Sequence, residues 1–348
     1  MRLRRVRLRD EDEFSVALRD GDRWVPVVPA LARHRAEQGA DLPSLAAVAR
    51  DVVAFCAERE AICSELDRLL EFLREQKVDL EDTFHSEALL PFAPISFRDF
   101  MLYEEHAIAA ARGMARRFMP AIGRLVAVYE AVFRKPPSLL RPKRIWYDKP
   151  IYYMGSHVNF FADGDVLPWP AYTRALDYEL ELGAVVCRPL HDATPEQALQ
   201  AIGGFVVVND LSARDVQYPE MTSGFGPVKS KNFANAMSAQ LVTADEILPR
   251  VAELDVAVRI NGQPCGRGTT AGMQHSLGEM VAYASLGERV FPGELLSTGT
   301  IPGCSGMETG QWLSPGDEIE LEIAGVGTLR NVIGGPGESG GSGTPART

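Results

Sequence analysis

The stretch from Leu176 to Val186, LDYELELGAVV, alternates Asp177, Glu179 and Glu181 with Tyr178, Leu180 and Leu182 before an unbroken apolar run. Side chains on a strand repeat every two residues, so this pattern predicts a strand with three carboxylates on one face and apolar side chains on the other. A bound hard divalent cation explains like charges placed beside GAVVC, because such ions prefer carboxylate oxygens. A half-exposed strand with a solvated acidic face explains the same alternation, and both readings stand at this point. The chain also alternates like strands from its start through Val28, and RLRRVRLR reads as an edge strand. From Pro43 to Lys77, Leu45, Val48, Val52, Phe55, Ile62, Leu66, Leu69 and Phe72 recur near helical spacing. Beyond Phe97 the pattern changes to short apolar runs punctuated by Gly and Pro, among them GGFVVVND, LDVAVRI, LLSTGTIPG and DEIELEI. It predicts a mostly β region with few helices. Asn261-Gly262 is a two-residue hairpin signal.

These patterns divide the chain into an αβ module over residues 1–95, a β-rich domain over 96–333 and a Gly/Ser-rich tail over 334–348. The proline-containing LLPFAPI works as the linker between the first two. The tail has nothing to bury and is expected to be disordered.

Composition narrows the function classes. With 348 residues, 46% of them hydrophobic, the chain can bury a large core. A formal net charge of -11 repels phosphate backbones and anionic membranes, so neither nucleic acid nor membrane is an expected partner. Cys56, Cys63, Cys187, Cys265 and Cys304 are scattered, odd in number and without a C-x-x-C pair; they read as reduced thiols of a cytoplasmic protein. None of the six histidines lies three or four residues from another, which argues against a His-based metal helix. The glycine spacings do not follow a dinucleotide fingerprint, and neither a Walker pattern nor a G-x-S-x-G elbow occurs.

Charged residues recur where a purely structural role is awkward. Asp99 is expected to open a helix that carries His106 seven residues on, which brings both to one face; a capping Asp and an ordinary His are the plain alternatives. Asp210, Arg214 and Gln217 follow the apolar run GGFVVVN and fall on a strand exit, a common place for ligand groups, although an Asp-Arg pair within a turn fits as well. Lys229 and Lys231 lie in a Gly/Pro-bounded loop, and Glu308 lies in the glycine-rich GTIPGCSGMETG.

The ordered set RDFxxxEEH, LDYELELGAVV, NDxSARDxQ, GPxKxK, MQHSLGEMVAYAS and LLSTGTIPGCSGME, spread from Ser96 to Asn331, resembles the fumarylacetoacetate hydrolase family. The resemblance implies an α+β protein with a mixed β-sandwich roll catalytic domain, preceded here by the small αβ module, and a homodimer. It implies a bound Mg²⁺, with Ca²⁺ or Mn²⁺ as alternatives, and no organic cofactor. Carried over by position, Asp99, Glu179, Glu181 and Asp210 would hold the metal, while Asp177 receives no role. His106, Glu308 and Lys231 would be catalytic, with Lys231 preferred over Lys229. Tyr153, Arg214, Gln217 and Thr300 would contact substrate. The implied activity is metal-dependent hydrolysis of a C-C bond in a small 1,3-diketo or 2,4-dioxo acid. Decarboxylation, isomerisation or hydration of a 2-oxo acid on the same scaffold is the nearer alternative, and a non-catalytic metal- or ligand-binding protein the more distant one.

Overall fold

The computed structural model describes residues 1–9 and 13–338. Two large sheets, two two-stranded ribbons (Leu176–Asp177 with Ser212–Ala213, Leu190–His191 with Arg289–Val290) and the helices packed on them give an α+β architecture. The larger sheet has eleven strands, nine of them on one hydrogen-bonded path: Arg23–Pro26, Phe14–Asp20, Arg2–Arg7, Gln240–Thr243, Ile202–Asn209, Glu179–Val186, Glu294–Ser305, Ser96–Phe100 and Tyr152–Gly155. Along this path the pairings are antiparallel except for the parallel one between Glu294–Ser305 and Ser96–Phe100; off it, Asn235–Met237 pairs in parallel with Phe160–Phe161. The smaller sheet runs Gln263–Thr269, Asp255–Ile260, Glu318–Ile323, Gly327–Pro336 and Val166–Trp169. Its first hairpin turns at Asn261 and Gly262, which take φ of 52° and 73°; two positive φ values are the geometry that an Asn-Gly dipeptide favours.

Every residue of Glu179–Val186 is buried. Leu180, Leu182, Ala184 and Val186 join the core that fills the space between the two sheets. Val185, on the opposite face, joins a second core built with Leu45, Phe55, Leu66 and Leu69 of the N-terminal helices. The strand is therefore covered on both sides, which excludes a solvated acidic face.

Four expectations change. The opening strand is interior, because Arg2–Arg7 pairs with Phe14–Asp20 on one side and with Gln240–Thr243 on the other. Its arginines keep their heads at the sheet margin by stacking on aromatic rings, Arg4 over Trp24 and Arg5 over Phe14. Asp99 lies on the strand Ser96–Phe100, and the helix begins only at Glu104. The β-rich region carries more helix than expected, notably Glu104–Phe118, Pro120–Phe133, Arg214–Thr222 and Leu277–Ala284. The strand Gly327–Pro336 runs past the expected start of the tail at 334, and residues 339–348 lie outside the described residues. No described helix is long and apolar enough to cross a membrane.

Candidate active site

Five neighbouring strands of the large sheet deliver the polar groups of one cavity. Their registers set Glu181 beside Val208 on one flank and Thr300 on the other, Ser297 beside Asp99, and Asp99 beside Tyr153. Asp210 directly follows the strand Ile202–Asn209. Residues distant in sequence thus meet along one line across the sheet because strand pairing puts them there.

Asp99, Glu181 and Asp210 are buried and each offers a carboxylate oxygen, these atoms lying within 4.8 Å of one another. Burial pushes all three carboxyls above the usual range; the neighbouring carboxylates add to this at Asp99 and Glu181, and the Lys231 ammonium opposes it at Asp210. Asp99 Oδ1 is buried without a hydrogen-bond partner. An all-oxygen donor set with a spare buried oxygen and unrelieved mutual repulsion fits a hard divalent cation. Ser297 Oγ donates to Glu181, and Tyr153 OH donates to Asp210 Oδ2 at 2.8 Å.

Glu179 behaves differently from Glu181, two residues away. Arg214 Nη2 donates to its Oε1 at 2.7 Å and Lys231 Nζ to its Oε2. Burial acts to raise its carboxyl, but the two cations outweigh burial and hold it well below the usual range. Lys231 Nζ also bonds Asp210, which confirms Lys231 as the buried lysine of this loop, whereas Lys229 is exposed. In this structure Glu179 is paired with protein cations, while the oxygens of Asp99, Glu181 and Asp210 are the ones that converge.

His106, one turn into the helix Glu104–Phe118, places Nδ1 3.1 Å from Glu308 Oε2 and Nε2 3.7 Å from Glu179 Oε1. Glu308 is fixed in turn by Gly303 N at 3.2 Å and Ser305 Oγ at 2.9 Å. Nδ1 makes no aligned hydrogen bond, so Glu308 acts on the ring as a neighbouring negative charge, and a proton on Nδ1 leaves Nε2 to accept one. Arg214 is clamped by Asp177 and Glu179, and its Nη1 donates to Gln217 Oε1 at 3.0 Å. Thr300 Oγ1 lies 3.4 Å from Glu181 Oε1. All eleven candidate residues except Glu308 and Asp210 line one cavity of about 440 Å³, and those two touch His106 and Lys231 from behind.

Sequence reading passed over three contributors. Asp177 accepts from Arg214 Nε at 2.7 Å and from the backbone N–H groups of Gly306 and Met307 at 2.7 and 2.9 Å, so it anchors both Arg214 and the loop before Glu308. Ser297 steadies Glu181, and Ser305 steadies Glu308. Ser297 and Ser305 share the strand Glu294–Ser305 with Glu294, Thr298 and Thr300, so the pattern did not set them apart.

Comparison with known proteins follows from this geometry. The chain is 27% identical over 188 residues to a mitochondrial oxaloacetate tautomerase of Pongo abelii, covering 54% of this chain and 82% of that one. It is 29% identical over 187 residues to the 2,4-didehydro-3-deoxy-L-rhamnonate hydrolase of a Sphingomonas species, covering 53% and 65%. Among solved structures it is similar to the fumarylacetoacetate hydrolase of psychrophilic Exiguobacterium antarcticum, with TM-score 0.61 and 19% identity over 95% of this chain and 99% of the other. The family model described as fumarylacetoacetate (FAA) hydrolase C-terminal matches residues 127–334, a span that holds Glu179, Glu181, Asp210, Lys231 and Glu308 and leaves Asp99 and His106 just outside. With well over half of its length matched, the chain belongs to the fumarylacetoacetate hydrolase family.

Proposed function

We propose that this protein is a Mg²⁺-dependent hydrolase that cleaves a C-C bond in a small 1,3-diketo or 2,4-dioxo acid. The observation that supports this reading is that His106, with Glu308 behind it, lines the same cavity as Asp99 and Glu181, beside which Asp210 lies. Asp99, Glu181 and Asp210, with Glu179 beside them, would hold a divalent cation, Mg²⁺ or alternatively Ca²⁺ or Mn²⁺, which would supply Lewis-acid polarisation of the substrate carbonyl. His106 Nε2 takes a proton from water, and the oxygen adds to the carbonyl carbon. Glu308 keeps the Nδ1 proton in place throughout. As the C-C bond breaks, its electron pair moves into the neighbouring carbonyl as an enolate, whose charge Lys231 Nζ stabilises. His106 Nε2 then returns its proton to the leaving carbon, giving two acids. Arg214, Gln217, Tyr153 and Thr300 orient the substrate.

Proton transfer at carbon by His106 also suffices for tautomerisation, and a relative named an oxaloacetate tautomerase favours keeping that as the second reading. Acylpyruvates followed at their enol absorbance with and without Mg²⁺, together with product analysis, separate the two: hydrolysis yields two acids, whereas tautomerisation leaves the starting acid uncleaved. His106→Ala is expected to lower kcat by about 10³-fold or more with divalent affinity within a few-fold of the parent. Retained turnover in that variant removes His106 from the mechanism. The cytoplasmic, homodimeric state belongs to the same proposal; exposed Leu125, Val128 and Val132 on the helix Pro120–Phe133 support a subunit contact, which sedimentation checks.

A further inference from the structure

Resting on the hydrolase reading, we infer that the substrate carries a long, uncharged apolar arm beyond its dicarbonyl head, and that the helices Glu104–Phe118 and Arg214–Thr222 select for it. Both helices begin at the polar floor of the cavity and run outward with apolar side chains. On the first, His106, Ala110 and Met114 recur every four residues, so they stack along one face over about 12 Å of helix. On the second, Arg214 and Gln217 at the floor give way to Tyr218 and Met221 one and two turns on. The small side chains of Ala110 and Ala111 leave open the space between the two helices.

The charges lie at one end only. Among the described residues lining the cavity, the lysine and arginine side chains are Lys231 and Arg214, and both are held by carboxylates at the floor. A second carboxylate on the substrate arm would lose water against Ala110 and Met114 without meeting a cation, which is costly. An alkyl or aryl arm loses nothing there. Met101, Met114, Met221 and Met307 line the same cavity, and methionine adapts to irregular apolar shapes. The site is therefore built for a monocarboxylic diketo acid with a variable apolar tail rather than for a dicarboxylic one.

The test uses the full chain with Mg²⁺ and acylpyruvates bearing acetyl, butanoyl, hexanoyl and benzoyl arms, plus an ω-carboxylated arm of hexanoyl length. kcat/KM is expected to rise about fourfold per added methylene along the alkyl series. The ω-carboxylated arm is expected to fall about a hundredfold below its alkyl equal. Calorimetry with 2-oxobutanoate, 2-oxooctanoate and its ω-carboxylated equivalent reads the same ranking without turnover. Met221 is half-exposed, so Met221→Lys tolerates the change in place, and it is expected to narrow the alkyl preference about tenfold. Cleavage with a flat series, a preference for the ω-carboxylated arm, or an unchanged ratio in Met221→Lys overturns the inference and leaves the hydrolase reading standing. Absent cleavage with the apolar ranking kept in calorimetry overturns the hydrolase reading and supports the apolar arm. Neither cleavage nor ranked binding overturns both.

Discussion

Asp177 and Glu181 lie two residues either side of Glu179, Asp177 on the short strand Leu176–Asp177 and Glu181 on Glu179–Val186, and their surroundings predict opposite responses to losing a charge. Asp177 faces donors only: Arg214 Nε and the N–H groups of Tyr178, Gly306 and Met307. An amide there would turn its own N–H group against those donors and leave Arg214 buried with one fewer partner. Asp177→Asn is expected to cost about 3 kcal/mol and lower Tm by several degrees, with divalent affinity nearly unchanged. Glu181 instead shares a buried space with Asp99 and Asp210. Glu181→Gln removes one repelling charge, so in chelator its Tm is expected to rise above the parent's, while the Tm increase caused by added Mg²⁺ disappears. Thermal melts of both variants in chelator and in Mg²⁺ check this, and equal behaviour of the two would sink the distinction. The carboxylates themselves were legible from alternation and residue type. Their division of labour was not, because it depends on Arg214 and Lys231 returning to Glu179 from 35 and 52 residues away.

At the scale of elements, the catalytic pair depends on how closely two helices approach. The short helix Gly306–Thr309 carries Glu308 and packs on Glu104–Phe118 at Gly113, where a Cβ would collide with the Met307 carbonyl oxygen. Gly113→Ala gains about 1 kcal/mol of helix propensity but forces the helices apart. The expected outcome is a net loss of stability together with a kcat reduction of about tenfold, since a shift of an ångström at the His106–Glu308 contact is enough for that. A variant with parent kcat would show that this packing does not set the pair. Helical spacing made Glu104–Phe118 visible in the sequence. It hid the strand before it, because Arg98 and Asp99 interrupt the apolar pattern of SFRDF even though both are buried. Arg98 is tolerated there because Glu294 and Glu288, nearly 200 residues away, bond its guanidinium at 3.0 and 2.9 Å. A pattern rule sees a polar residue; only the fold supplies its partner.

For the molecule as a whole, the expected division at residue 95 does not divide the sheet. Leu3, Val16 and Leu18 from the first twenty residues share a core with Val206, Val208 and Leu241. A chain beginning at residue 96 would leave the Gln240–Thr243 strand with one of its two partners and one face of the large sheet uncovered. It is expected to lack a cooperative thermal transition by circular dichroism and to sediment as aggregate; a soluble, folded truncation would show that the first 95 residues are dispensable. Local alternation identified the Arg2–Arg7 strand correctly but misjudged its position, since a strand's neighbours are set by chain that lies far downstream.

That position also imposes an order of events on synthesis. The register pairs Arg2 with Val242, so the strand made first waits for a partner made about 240 residues later. At roughly 5–20 residues per second the interval is on the order of tens of seconds. During it the Arg2–Asp20 hairpin has one open edge, and the basic side chains of RLRRVRLR keep that edge from pairing with neighbouring nascent chains. The arginines that look out of place in an acidic protein thus stand where charged side chains blunt an open strand edge.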